Sequence, residues 1–107
     1  MAGQNVLEIT DKNFQETIKT GVTLVDFWAP WCGPCRMLGP VVEQLAADFT
    51  DKAKIGKLNV DDNQQTAVAF SVNSIPTILI FKDGKLVKQF VGVQSKDALT
   101  KEINSVL

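Results

Sequence analysis

Val22-Thr23-Leu24-Val25-Asp26-Phe27-Trp28-Ala29-Pro30-Trp31-Cys32-Gly33-Pro34-Cys35 is the stretch on which the fold turns. Its first half, Val22 to Trp28, is apolar on both alternating faces except at Asp26. A strand reads this way when it is central in a sheet and covered on both sides. Its second half opens a helix over residues 34–49. Met37, Val41, Leu45 and Phe49 recur every four residues, and Leu38 and Val42 widen the stripe. Pro34 suits a first helical turn, where a missing N–H costs nothing. Pro40 lies inside the helix and removes one backbone bond. The two cysteines therefore sit where a central strand passes into a helix, the edge at which open α/β sheets place their sites.

The rest of the chain alternates in the same way. Val6 to Ile9 reads as a strand, and Thr10 or Asp11 is placed to cap a helix carrying Phe14 and Ile18 and stopped at Gly21. Lys54 to Val60 is a further strand, and Asp62 or Asn63 opens a short helix through Ala67 and Phe70. Thr77 to Phe81 and Leu86 to Val91 flank Lys82-Asp83-Gly84-Lys85, and Asp-Gly between two apolar runs predicts an antiparallel hairpin. Ser95 is the expected cap of a last helix with Leu99, Ile103, Val106 and Leu107 on one face. Phe81 is expected in the core, and Lys82, Lys85 and Lys88 are expected as solvated protection of an edge strand. The order β-α-β-α-β-α-β-β-α predicts an α/β domain, a mixed sheet with helices on both faces. The helix at 34–49 would be the crossover between two parallel strands. With 107 residues, 45% of them hydrophobic, and no linker or repeat, the chain is expected to be a single domain, 1–107.

Composition narrows the chemistry. Eleven basic against twelve acidic residues give a net charge of −1, without the basic excess of a nucleic-acid surface. Histidine is absent, which excludes a Cys-His or Ser-His nucleophile pair and any imidazole metal ligand. No apolar run approaches a bilayer span, and Met1 to Asn5 has no basic segment leading into one. The expected location is the cytoplasm, with no membrane partner.

Cys32 and Cys35 are the only cysteines. Backbone N–H groups and the dipole at a helix amino end favour an anion, so the Cys32 pKa should fall, and the thiolate is the reactive form. Cys35, one turn on, would point back and attack any mixed disulfide formed on Cys32, an intramolecular step. A purely structural bridge is one alternative, but closing so short a loop contributes only ~2 kcal/mol. Half a zinc site is another, but a closed site needs four ligands and no further cysteine or histidine exists. Asp26 stands in an apolar strand, where burial should raise its pKa and suit it to proton transfer near neutrality.

Val25-Asp26-Phe27-Trp28-Ala29-Pro30-Trp31-Cys32-Gly33-Pro34-Cys35 resembles the active-site segment of the thioredoxin family. Ser74-Ile75-Pro76-Thr77 is similar to that family's cis-proline loop, and Val91-Gly92-Val93 to its last turn. The resemblance spans essentially the whole chain. It implies a thioredoxin fold, a central five-stranded mixed sheet flanked by four helices on both faces. It also implies a protein disulfide reductase and dithiol electron carrier with no bound cofactor beyond a redox-active Cys32–Cys35 disulfide. By carry-over Cys32 is the exposed nucleophile, Cys35 the buried resolving thiol, and Asp26 the acid/base. Lys57 would be the counter-charge of Asp26, a snorkelling surface lysine being the alternative. The Ile75–Pro76 bond would be cis. Trp31, Gly33, Pro34, Ile75, Pro76, Gly92 and Val93 would form an apolar substrate-binding rim around Cys32. The implied partners are a thioredoxin reductase, an NADPH-dependent flavin enzyme, and disulfide-containing proteins such as ribonucleotide reductase, methionine sulfoxide reductase and peroxiredoxins. The chain is expected to be a monomer. It departs from the family's frequent pattern at Pro30, where an acidic residue is usual, at Phe70 for tyrosine and at Ser74 for glycine. A disulfide oxidase or isomerase on the same fold, and a non-redox binding module, are the competing functions.

Overall fold

A computed structural model describes residues 5–107. Its elements are β1 (Leu7–Glu8), α1 (Phe14–Ile18), β2 (Val22–Trp28), α2 (Gly33–Asp48), β3 (Lys54–Asn59), α3 (Gln64–Ala69), β4 (Thr77–Lys82), β5 (Lys85–Val91) and α4 (Lys96–Asn104). The five strands form one sheet in the order β1-β3-β2-β4-β5. The β1–β3 and β3–β2 pairs are parallel, and the β2–β4 and β4–β5 pairs antiparallel. The mixed sheet read from the sequence is borne out, with β2 at its centre and α2 as the crossover to β3.

The strand alternation sorts the core into two layers. Val22 and Leu24 of β2, Ile55 of β3, and Ile78 and Ile80 of β4 pack against Leu38, Val42 and Leu45 of α2 and Leu99 and Ile103 of α4. Val25, Phe27, Leu58, Leu79 and Phe81 face the other way, onto Phe14 and Ile18 of α1 and Ala67 of α3. There Phe14, Phe70 and Phe81 meet ring to ring, with centroids 5.3 to 5.4 Å apart. Phe70 is thus an apolar packing residue, and a hydroxyl is not needed to hold it.

Gly56 is required by close approach. A Cβ there would strike the Ile9 side chain and lie 3.0 Å from the Leu7 carbonyl. The hairpin turn has Asp83 at φ 49° and Gly84 at φ 86°, the left-handed pair that a two-residue turn between twisted strands needs.

Several sequence expectations are corrected. Met37 is 70% exposed, and the buried stripe of α2 is Leu38, Val42, Leu45, Ala46, ending at Phe49. Asn13, not Thr10 or Asp11, is the cap residue of α1, bonded reciprocally with Thr10. The Asp11 carboxylate instead accepts from the N–H groups of Thr66 (2.9 Å) and Gln65 (3.3 Å), capping α3 from across the molecule. Leu107 is exposed, leaving Leu99 and Ile103 as the buried face of α4. Ser95 caps that helix as expected, accepting from the Ala98 N–H at 3.1 Å. Lys82 and Lys88 are not free edge charges. Lys82 Nζ donates to the Val106 carbonyl (2.7 Å) and Lys88 pairs with Glu102 (3.1 Å), so both bind the hairpin to the chain's end.

Candidate functional site

The site forms where β2 leaves the sheet. Cys32 N donates to the Ala29 carbonyl (3.2 Å), and the Val60 N–H to the Trp28 carbonyl (2.9 Å), so the turn is tied to the end of β3. Cys32 is extended, at φ −87° and ψ 112°, and is the cap residue of α2. Its Sγ accepts from the Cys35 N–H at 3.2 Å. Pro34 occupies the first turn, where it removes a donor that has no helical acceptor. Cys32 and Cys35 are joined by a disulfide, with their Cα atoms 5.3 Å apart. The sulfur that would become a thiolate on reduction therefore already occupies the anion position of a helix amino end. Cys32 is only 5% exposed and Cys35 2%, so the pair differs less in exposure than expected. Packing accounts for this: Trp28, Val60 and Ile75 close around Ala29, Cys32 and Cys35.

The second wall is the loop before β4. The Ile75–Pro76 bond is cis. Cys32 Sγ lies 3.9 Å from the Ile75 carbonyl oxygen. Pro76 is buried, and its carbonyl accepts from the Gly92 N–H at 2.8 Å. Gly92 has φ +94°, so the turn from β5 back toward Pro76 favours glycine. Val93 follows it on the surface. Of the expected rim, the structure thus joins Ile75, Pro76 and Gly92 to the cysteine turn that carries Gly33 and Pro34. Trp31 is 67% exposed and is steadied by its indole N–H, which donates to Asp61 at 3.0 Å.

Asp26 lies in the middle of β2 with 0% exposure, and neither carboxylate oxygen has a hydrogen-bond partner. Burial pushes its pKa up to about 7, against the opposing pull of Lys57. Lys57 is opposite Asp26 in the β2–β3 register. Its Nζ rests 4.2 Å over the Trp28 ring. Among the described residues the ion pairs are Lys88–Glu102 and Lys96–Asp48, so Lys57 acts on Asp26 at longer range than a salt bridge.

Two residues at the site escaped the sequence reading. Asp61 holds Trp31, and Arg36 donates from Nη1 to the Pro30 carbonyl at 3.1 Å. Asp61 follows β3, and a parallel neighbour of β2 must end at the same sheet edge. Strand order was the missing signal. No group of cysteine and carboxylate side chains among the described residues is arranged to hold a metal ion. No described helix is long and apolar enough to cross a membrane.

Comparison with known proteins agrees with this geometry. The thioredoxin family model matches residues 5–105. A thioredoxin of Staphylococcus saprophyticus is 52% identical over 102 residues, covering 95% of this chain and 98% of that protein. A thioredoxin of Staphylococcus aureus is 49% identical over 102 residues, with the same coverage of 95% and 98%. The solved structure of a mutant thioredoxin from Halobacterium salinarum NRC-1 superposes with a TM-score of 0.87 at 41% identity. That match covers 99% of this chain and 95% of the other.

Proposed function

The chain belongs to the thioredoxin family, and from that premise we propose how its own residues carry out protein disulfide reduction. The protein is a thiol-disulfide oxidoreductase whose redox group is the Cys32–Cys35 pair. In the dithiol form the Cys32 thiolate attacks one sulfur of a substrate disulfide. The substrate S–S bond breaks, one substrate thiolate leaves and takes up a proton, and a mixed disulfide remains on Cys32. Cys35 then loses its proton to the Asp26 carboxylate through a bridging water and attacks Cys32 Sγ. The Cys32–Cys35 bond forms and the second substrate thiolate leaves, completing a two-electron transfer. The observation that carries these roles is the cap: Cys32 Sγ accepts the Cys35 N–H at 3.2 Å, which favours the charged form of Cys32 over that of Cys35.

Asp26, with a pKa of about 7, is the base for Cys35, and Lys57 limits how far that pKa rises. Trp31, Gly33, Pro34, Ile75, Pro76, Gly92 and Val93 are the substrate rim. An extended substrate segment pairs with the backbone beside Ile75. The partners are thioredoxin reductase and disulfide-bearing proteins. We place NADPH-derived electrons, through a flavin reductase, upstream. Ribonucleotide reductase, methionine sulfoxide reductase and peroxiredoxins are the specific acceptors we propose. Residues 1–107 would act as one domain, a monomer, in the cytoplasm.

The test is a trapping experiment with a disulfide-bonded protein substrate. Cys35→Ser should accumulate a covalent mixed disulfide through Cys32, and Cys32→Ser should accumulate none. Both should lose steady-state reduction. Trapping through Cys35 in the Cys32→Ser variant, at the wild-type rate, would reverse the assignment. Equilibration with glutathione buffers separates reductase from oxidase: a Cys32–Cys35 potential well below that of the glutathione couple is expected.

A further inference from the structure

Arg36 is the only arginine in the chain; the other ten basic side chains are lysines. It stands on the first turn of α2, one residue beyond Cys35, and is exposed. Its side chain does not run out into water. Nη1 reaches back to donate to the Pro30 carbonyl at 3.1 Å, and a Cβ built on Gly33 would lie 3.9 Å from Nη2. The guanidinium therefore lies along the lip of the turn, between the residue two before Cys32 and the residue just after it. Neither of the ion pairs among the described residues involves it. A guanidinium has five N–H donors in a rigid fork that fits a carboxylate. One holds the fork in place here, so little side-chain freedom is left to lose on binding.

We propose that Arg36 is a specificity-determining residue, taking a carboxylate on the partner protein beside the disulfide that Cys32 attacks. The proposal rests on the reductase reading of Cys32 and Cys35.

The probes are two synthetic peptide disulfides that differ only in carrying glutamate or lysine beside the cysteine. Protein reduced with dithiothreitol is mixed with each, and the second-order rate constant is followed by tryptophan fluorescence. Wild type should favour the glutamate peptide. Arg36→Gln should bring the ratio close to one, and Arg36→Glu should invert it, a swing on the order of tenfold for a charged hydrogen bond at a half-open surface. A positive charge that acts only on the Cys32 thiolate changes both rates by the same factor. An unchanged ratio in Arg36→Glu, whether or not both rates fall, overturns the proposal. Wild type that reduces neither peptide sinks the reductase reading as well. Melting curves of the variants, expected within a few degrees of wild type, exclude misfolding as the cause.

Discussion

Two helices, α2 and α3, begin at similar amino ends, and the chain treats them differently. Neither carries an acidic residue in its first turn. At α3 that place is filled by Asp11, whose carboxylate accepts from two backbone N–H groups and, at 2.6 Å, from the Thr66 hydroxyl. Burial tends to raise the Asp11 pKa, but those bonds outweigh it and hold the carboxyl below its usual value. At α2 the same place is taken by Cys32 Sγ, supplied by the helix's own cap residue. A carboxylate has no leaving partner and stays. A sulfur in that place is stabilised as an anion and remains a nucleophile. One pattern of backbone donors thus gives stability at one helix and reactivity at the other, on the opposite face of the sheet.

The largest effect expected concerns a second carboxylate, which has no such donors. Asp26 has a folded-state pKa of about 7 against an ordinary 3.8. The native state therefore binds more protons than the unfolded chain between those values, and stability falls as pH rises through them. Asp26→Ala removes that dependence. Relative to wild type it should gain about 4 kcal/mol between pH below 3.8 and pH above 7, read by urea unfolding. It should also slow disulfide reduction at neutral pH. A variant that is more stable yet reduces at the wild-type rate would leave Asp26 no part in moving the Cys35 proton.

Asp11→Ala is the next test. Losing the cap of α3 should cost about 1–2 kcal/mol. The sign with pH is opposite to that of Asp26. Because folding lowers the Asp11 pKa, its contribution is present above the ordinary 3.8 and is lost as pH falls through the folded value. The reduction rate should stay at the wild-type value, which is what separates this cap from the one at Cys32. A slowed rate in Asp11→Ala would mean that the two helix ends are coupled.

What the sequence disclosed follows the range over which each signal acts. β2 and the Asp83–Gly84 hairpin depend on neighbours a few residues away, and both were legible. The redox pair Cys32 and Cys35 was legible from its spacing where a strand passes into a helix, and the cis-Pro76 loop by resemblance. The α2 stripe was misplaced at Met37 for a geometric reason. A ladder of strict fourth residues advances about 40° per step around a helix, so Met37 and Phe49 cannot share one face. The Asp11 cap, the Trp31–Asp61 bond and the Lys82 and Lys88 ties join segments whose nearness depends on strand order. No local periodicity contains them. Arg36 escaped for another reason: its bond to Pro30 is local, but a cation in a helix's first turn reads as a solvated surface residue until its direction is known.

The smallest predicted effect tests the comparison most closely. If Cys32 caps α2 as Asp11 caps α3, its sulfur should be replaceable by another acceptor without loss of the helix. In dithiothreitol, with no disulfide in either protein, Cys32→Ser should unfold within about 0.5 kcal/mol of wild type, since serine is among the preferred cap residues. Cys32→Ala should lose about 1 kcal/mol under the same conditions. Neither should reduce a substrate disulfide. If serine and alanine cost the same, the Cys35 N–H gains nothing from the cap and α2 is held by the packing of Leu38, Val42 and Leu45 alone. If serine matches wild type and alanine does not, the sulfur holds the helix end and performs the chemistry from one position. The backbone that stabilises the thiolate would then be the same backbone that fixes its place in the fold.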